Sequence, residues 1–394
     1  MDNLAKFESL STKDSTLRAL EDRLPQAQGD PRILAETASK LERLREWMRV
    51  QDLDGVLISR RDNFAWLTVG GDNHVLKNTE TGAGHLLITP DEQTLLAYSM
   101  DARRILEEQL PGQRYETLTR RWYEGDPRGL ASTLVKGRLA ADTPLPGCEE
   151  RSLEISRLHD PLTELEIDRC RWLGRQTALL LEALAGWVQP GMSEQQIARQ
   201  MQAAFTLQGI ELDVVIVGSD ERVERLRHSL PTNQKVEKYV MVHPAARRWG
   251  LHANVCRSIS FGKPKEAIRQ AYRAAATIET QVLGMLQPGV RFADILQQQK
   301  IWYRENGFPE EWREHFQGGP TGYVPADPTR CQTEMRVVAN QAYDWFITLP
   351  GVMAEELALL TGEGVEVASS GADWPLIAIP TLKGEIRVPD LLVV

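Results

Sequence analysis

Apolar residues recur at helical spacing from Ile33 to Gln51, and the short apolar run Asp54-Gly-Val-Leu-Ile58 then reads as a strand. Asn63-Phe-Ala-Trp-Leu-Thr68 continues an alternation of helix, strand and loop. Gly84-His-Leu-Leu-Ile-Thr89 and Thr94-Leu-Leu-Ala-Tyr98 flank the turn Pro90-Asp-Glu-Gln93 and predict a hairpin, with a helix from Asp101 to Gln109. This pattern predicts a polar extension over residues 1–30, ending in Gln28-Gly-Asp-Pro31, and a small α/β domain over 31–155. The Pro/Gly-rich stretch Thr143-Pro-Leu-Pro-Gly147 precedes a linker helix, and residues 156–394 form the larger domain.

The second half carries an internal echo. Gln189-Pro-Gly-Met-Ser-Glu-Gln-Gln-Ile197 closes one helix and opens another, and Gln287-Pro-Gly-Val-Arg-Phe-Ala-Asp-Ile295 repeats the arrangement about a hundred residues later. Each is followed by a predicted helix ending near Gly209 or Gly307. Two related helical halves are expected.

Composition narrows the class. A chain of 394 residues with 42% hydrophobic content can bury two ordinary cores. The 46 basic and 55 acidic residues are scattered and give a net charge of −9, which argues against nucleic acid or an anionic membrane as partner. The four cysteines lie far apart with no paired spacing, so neither a zinc knuckle nor a disulfide framework is expected. The polar start of the chain and the lack of any apolar run approaching 18 residues predict neither signal peptide nor membrane span, and a cytoplasmic location.

The stretch Val240-Met-Val-His-Pro-Ala-Ala-Arg-Arg-Trp-Gly-Leu-His-Ala-Asn-Val-Cys-Arg-Ser258 resembles the metal-site strand pair of pita-bread enzymes (aminopeptidase P, prolidase, creatinase). The resemblance covers roughly residues 33–360. It implies an α+β chain whose C-terminal domain is built on a curved antiparallel sheet, preceded by a smaller α/β domain of creatinase N-terminal type. In that family two Asp bridge a two-metal centre, and the matching positions here are His243 and Asn254, with Gly250 and Arg257 in register. The family's His ligand falls on Gly319 within His315-Phe-Gln-Gly-Gly-Pro-Thr-Gly322. Its first Glu ligand falls on Phe346 within Asp344-Trp-Phe-Ile-Thr348, and its last survives as Glu355. One carboxylate and one imidazole do not satisfy a hard divalent pair, so no metal and no other cofactor is expected.

Arg227-His-Ser-Leu-Pro-Thr-Asn233 resembles the stretch of creatinase that carries its acid/base histidine, which falls on His228. Creatinase hydrolyses its substrate without metal. The resemblance therefore implies a metal-independent hydrolase cleaving a C–N bond in a small amino-acid-derived, guanidino or amide substrate, with His228, Glu355 and His315 as catalytic candidates. Candidate substrate contacts are Arg257, Arg330, Cys256, His243, Asn254, Phe346 and Tyr323. Trp66 and His74 join them because the N-terminal domain of such homodimers reaches the neighbour's site, and a homodimer is expected here. Two alternatives stay open, a silent peptide- or protein-binding module and a divergent Xaa-Pro aminopeptidase or dipeptidase. A polar cavity around His228, Glu355 and Arg257 fits an enzyme, and one filled by Phe346 fits a binding module.

Overall fold

The computed structural model describes Phe7, residues 14–326 and residues 334–394. Two compact units result, residues 25–160 and residues 161–394 with the first 24 residues of the chain. The N-terminal extension contains helix α1 (Ser15–Arg23), started by Asp14, whose side chain accepts from Leu17 N. Its Leu17 and Leu20 are buried within the larger unit, which explains why a polar-looking segment is ordered.

In the unit 25–160, α2 (Pro31–Gln51) begins at the Asp30 cap with Pro31 in its first turn, and buries Ile33, Leu41, Leu44 and Met48 along one stripe. Strand β1 (Gly55–Arg60) leads into the short helix α3 (Arg61–Leu67), and β2 (Thr81–Ile88) with β3 (Gln93–Tyr98) forms the expected hairpin. The helix expected over 101–109 is α4 (Ser99–Arg104) continued by a π-helical turn, Ile105–Gln109. With β4 (Glu116–Arg120), β5 (Leu139–Ala141) and β6 (Glu149–Glu150), the sheet order is β4-β3-β2-β1-β5-β6.

The larger unit opens with α5 (Glu164–Ala185) and α6 (Glu194–Leu207), each started by a capping box, Thr163 with Glu166 and Ser193 with Gln196. Strands β7 (Glu211–Ser219), β8 (Tyr239–Arg248), β9 (Leu251–Asn254) and β10 (Arg257–Ser260) make one sheet, with β8 central. Helices α7 (Glu266–Met285) and α8 (Phe292–Glu305) follow. The second sheet runs β11 (Gly318–Thr321), β12 (Gln341–Leu349), β13 (Val352–Thr361), β14 (Gly364–Val367), antiparallel throughout. Backbone bonds from Cys256 N to Glu355 O (3.1 Å) and from His252 N to Gly322 O (2.9 Å) stitch the two sheets together. Ile278, Val282 and Leu283 of α7 pack in one core with Tyr343, Trp345, Ile347 and Leu360.

The internal echo is a physical repeat. Gly191 N donates to Val236 O and Val236 N to Met192 O, while Gly289 N donates to Val337 O and Val337 N to Val290 O. Each Pro-Gly turn thus pairs with the segment just ahead of a central strand, β8 in one half and β12 in the other. The sequence period and the bonding pattern coincide.

Candidate active site

His243 on β8, Asn254 on β9, and Asp344 and Glu355 on β12 and β13 converge from both sheets, and none is more than 7% exposed. Cross-strand register explains the convergence. Glu355 sits opposite Phe346, and Asp344, two residues away, shares that face because strand side chains alternate. On the first sheet Asn254 pairs with Ala245, two residues from His243. Asn254 Nδ2 donates to Asp344 Oδ2, and His243 Nδ1 lies 2.7 Å from Glu355 Oε2 without the alignment of a hydrogen bond.

Burial sets the protonation of this cluster. It pushes the Asp344 carboxyl well above the carboxylate range, and the Glu355 charge adds to this. Burial likewise lifts Glu355 to about 8, against a hydrogen bond with Asp344 that pulls it down, and the Glu356 charge reinforces the rise. The same burial drops His243 to about 4, opposed by the Asp344 charge. Asp344 Oδ1 and Glu355 Oε2 have no hydrogen-bond partner among the described residues, the environment that burial makes costly for an ionised carboxylate. At neutral pH the His243–Glu355 contact is therefore one between uncharged groups.

Above the cluster stand two more histidines. His315 Nδ1 lies 2.7 Å from Phe316 O, and its Nε2 lies 3.0 Å from Nε2 of His228. A carbonyl only accepts, so His315 carries its proton on Nδ1 and offers a lone pair at Nε2; His228 then donates from Nε2 and keeps a free lone pair on Nδ1. Burial lowers the pKa of His228, with His243 adding to the effect. His315 is lowered by burial against the Phe316 carbonyl. The loop bearing His228 is tied down by Glu194, fully buried on α6, which accepts from Thr232 N (2.9 Å) and Thr232 Oγ1 (2.7 Å). On the other side, Gly318 has φ 96° and lies so close to the Asp344–Trp345 backbone that a Cβ there meets Asp344 O at 2.3 Å. The glycine of the His315 loop thus serves strand packing.

Several expected contacts lie elsewhere. Arg257 is completely enclosed and bound to Glu356 (2.5 Å and 3.2 Å) and to Ser369 O (2.8 Å), so it is not a substrate ligand. Its partner Glu356 in turn donates its backbone N–H to the buried Glu279. Cys256 is 2% exposed in the apolar core, and burial drives its thiol well above the ordinary range, which removes it as a reactive or binding group. Tyr323 is 1% exposed and donates to Glu166 Oε1 at 2.7 Å, bracing the start of α5. In the unit 25–160, Trp66 is fully buried with its ring 5.3 Å from that of His159, a core position rather than a ligand contact. His74 in that unit lies 2.7 Å from Asp72. Arg330 lies outside the described residues.

Phe346 does reach the site. Its ring meets His315 edge-on at 5.2 Å and Phe316 at 4.9 Å, covering part of the space above Glu355. Two tests thus point different ways, since a buried polar cluster persists beneath while an aromatic group narrows its approach. Sequence reasoning missed Asp344, although strand alternation from Phe346 places it on the same face. It also missed Phe316, whose ring stacks on His315 at 4.9 Å.

The architecture is that of a pita-bread domain preceded by a creatinase-type N-terminal domain. A model of the metallopeptidase family M24 matches residues 168–331, and one of the creatinase/prolidase N-terminal domain matches residues 40–162. The chain is thus similar to this family, that of creatinase, aminopeptidase P and prolidase, over both matched segments. An uncharacterized peptidase of Staphylococcus aureus is 20% identical over 227 residues, 55% of this chain and 64% of that one, so the chain spans under two thirds of this curated relative's length. An Xaa-Pro dipeptidase from Bacillus anthracis has the same fold (TM-score 0.71, 17% identity, covering 91% of this chain and all of that one). So does dipeptidase PepE from Mycobacterium ulcerans (TM-score 0.73, 17% identity, covering 91% and 98%).

Proposed function

We propose that the chain is a hydrolase of C–N bonds in small amino-acid-derived amides, working by acid/base chemistry without a metal pair, as a cytoplasmic homodimer. The observation that carries this reading is the histidine pair, with His315 fixed by Phe316 O so that His228 presents a lone pair on Nδ1. Water attacking an amide carbon gives its proton to His228 Nδ1. The resulting imidazolium returns it to the leaving nitrogen as the C–N bond breaks, leaving a carboxylic acid and an amine. Glu355, held protonated to about 8, is a donor for the oxyanion that forms between these steps.

The family description names metallopeptidases, and a divalent pair needs several ionised oxygens to fill and neutralise its coordination sphere. The residues present do not fit one. Asn254 is engaged with Asp344, His243 abuts Glu355, and Gly319 and Phe346 offer no donor side chain. Among the described residues no group of three or more His, Cys, Asp or Glu is arranged to hold a metal ion.

A second reading is a silent binding module, favoured by Phe346 packing on His315 over Glu355. The test is amine or ammonia release by the full chain, stripped with chelator, from amino-acid amides, acyl-amino acids and Xaa-Pro dipeptides, with and without added Mn²⁺. Metal-free turnover that falls by roughly 10²-fold or more in His228→Ala is expected. Turnover only with Mn²⁺ overturns the reading in favour of a divergent dipeptidase, and binding of a peptide without turnover favours the module.

A further inference from the structure

A cleft of about 510 Å³ opens beside the histidine pair, walled by Phe292, Leu296, Trp312, Phe316 and Trp345, with His315 forming part of its lining. Its volume lies within the range that holds a small ligand or a large side chain. Gln317 fixes the wall, since its Nε2 donates to Trp312 O (3.0 Å) and His315 O (2.6 Å) while its Oε1 accepts from Gln299 and Tyr303. The shape of this wall is therefore held by hydrogen bonds.

Trp345, 3% exposed, closes the inner wall of the cleft with its apolar ring. Phe316 stacks on His315 at 4.9 Å and faces both the cleft and the histidine pair. A group seated in the cleft is thus next to the imidazole that orients His228.

We infer that this cleft is the specificity subsite of the His228–His315 site, taking the aromatic side chain of an amide substrate. This rests on the hydrolase reading for the word substrate, and on the cleft alone for binding. The probe pair is L-phenylalaninamide and L-alaninamide, titrated calorimetrically into the full chain. Phenylalaninamide is expected to bind at least ~10-fold more tightly, the effect of burying an aromatic ring in place of a methyl. Leu296→Trp fills the cleft and should abolish that preference. Phe316→Ala at the cleft's edge should reduce it several-fold and serves if the first variant does not fold. Equal binding of the two amides, or a preference that survives Leu296→Trp, overturns the inference. A cleft-dependent preference without ammonia release leaves the subsite standing and removes the hydrolase reading, and ammonia release indifferent to the aromatic ring does the reverse.

Discussion

Glu355 and Arg257 show how much a residue's role depends on its surroundings. Glu355 lies at about 8 against an ordinary 4.5, so the folded state binds its proton more tightly than the unfolded chain does. Its contribution is fully present below about 4.5 and is lost as pH rises through 8. His243, at about 4 against 6.5, has the opposite sign, with stability present above 6.5 and lost as pH falls toward 4. Between 6.5 and 8 only the glutamate of this pair titrates. Urea denaturation should therefore show the wild type losing stability across that window relative to Glu355→Gln, by an amount on the order of 1–3 kcal/mol. Parallel curves for the two proteins contradict the assignment. Arg257 makes the complementary case, since Arg257→Ala leaves Glu356 buried without its cation and should cost roughly 3–5 kcal/mol in the same assay. A ligand role for Arg257 instead predicts normal stability with weakened carboxylate binding.

At the scale of elements, the site is where two β-sheets meet and two loops are tied down. Glu194 at the start of α6 holds Ser219 and Arg222 as well as Thr232, so one buried carboxylate fastens β7 and the His228 loop to a helix. Glu194→Gln turns one acceptor into a donor facing donors and should cost roughly 2–4 kcal/mol. Its sharper signature is in NMR, where His228 ring signals should broaden by exchange while those of His85, buried in the other unit, stay unchanged. Sharp His228 signals in the variant would show that the loop does not depend on Glu194. The repeated Pro-Gly turns act alike on a larger scale, pairing with Val236 and Val337 and so setting where β8 and β12 begin.

For the whole molecule, α1 belongs to the larger unit although residues 25–160 separate the two in sequence. Arg175 binds Asp14 at 2.6 Å, Trp172 donates to Glu21 at 3.0 Å, and Leu17, Leu20 and Leu24 are buried. Burying leucines of this kind contributes about 1.5–3 kcal/mol each. Deleting residues 1–24 should therefore lower the melting temperature of the larger unit by several degrees or more, and an unchanged melt argues that the helix is dispensable. Residues 25–160 have their own sheet and the Leu57, Leu87 and Leu96 core, so that segment expressed alone should melt cooperatively. A broad, non-cooperative melt contradicts its independence.

The sequence by itself determined the helices and strands whose periodicity is uninterrupted, such as α2 and the β2–β3 hairpin, because local spacing and turn chemistry suffice there. It also determined the repeat, because its Pro-Gly turns use the same backbone bonds twice. It placed His228, His243, His315, Asn254 and Glu355 in one region, through a resemblance that tracks the fold. Only the tertiary structure decided which way side chains face and what they meet. Arg257 and Cys256 turn inward because strand alternation and the packing of α7 on the second sheet leave them no solvent, and Trp66 closes a core. Asp344 joins Glu355 through cross-strand register, which no single strand reveals. The shifted pKa values of Glu355, Asp344 and His243 come from burial between two sheets, a property of the assembled fold rather than of any residue in the chain.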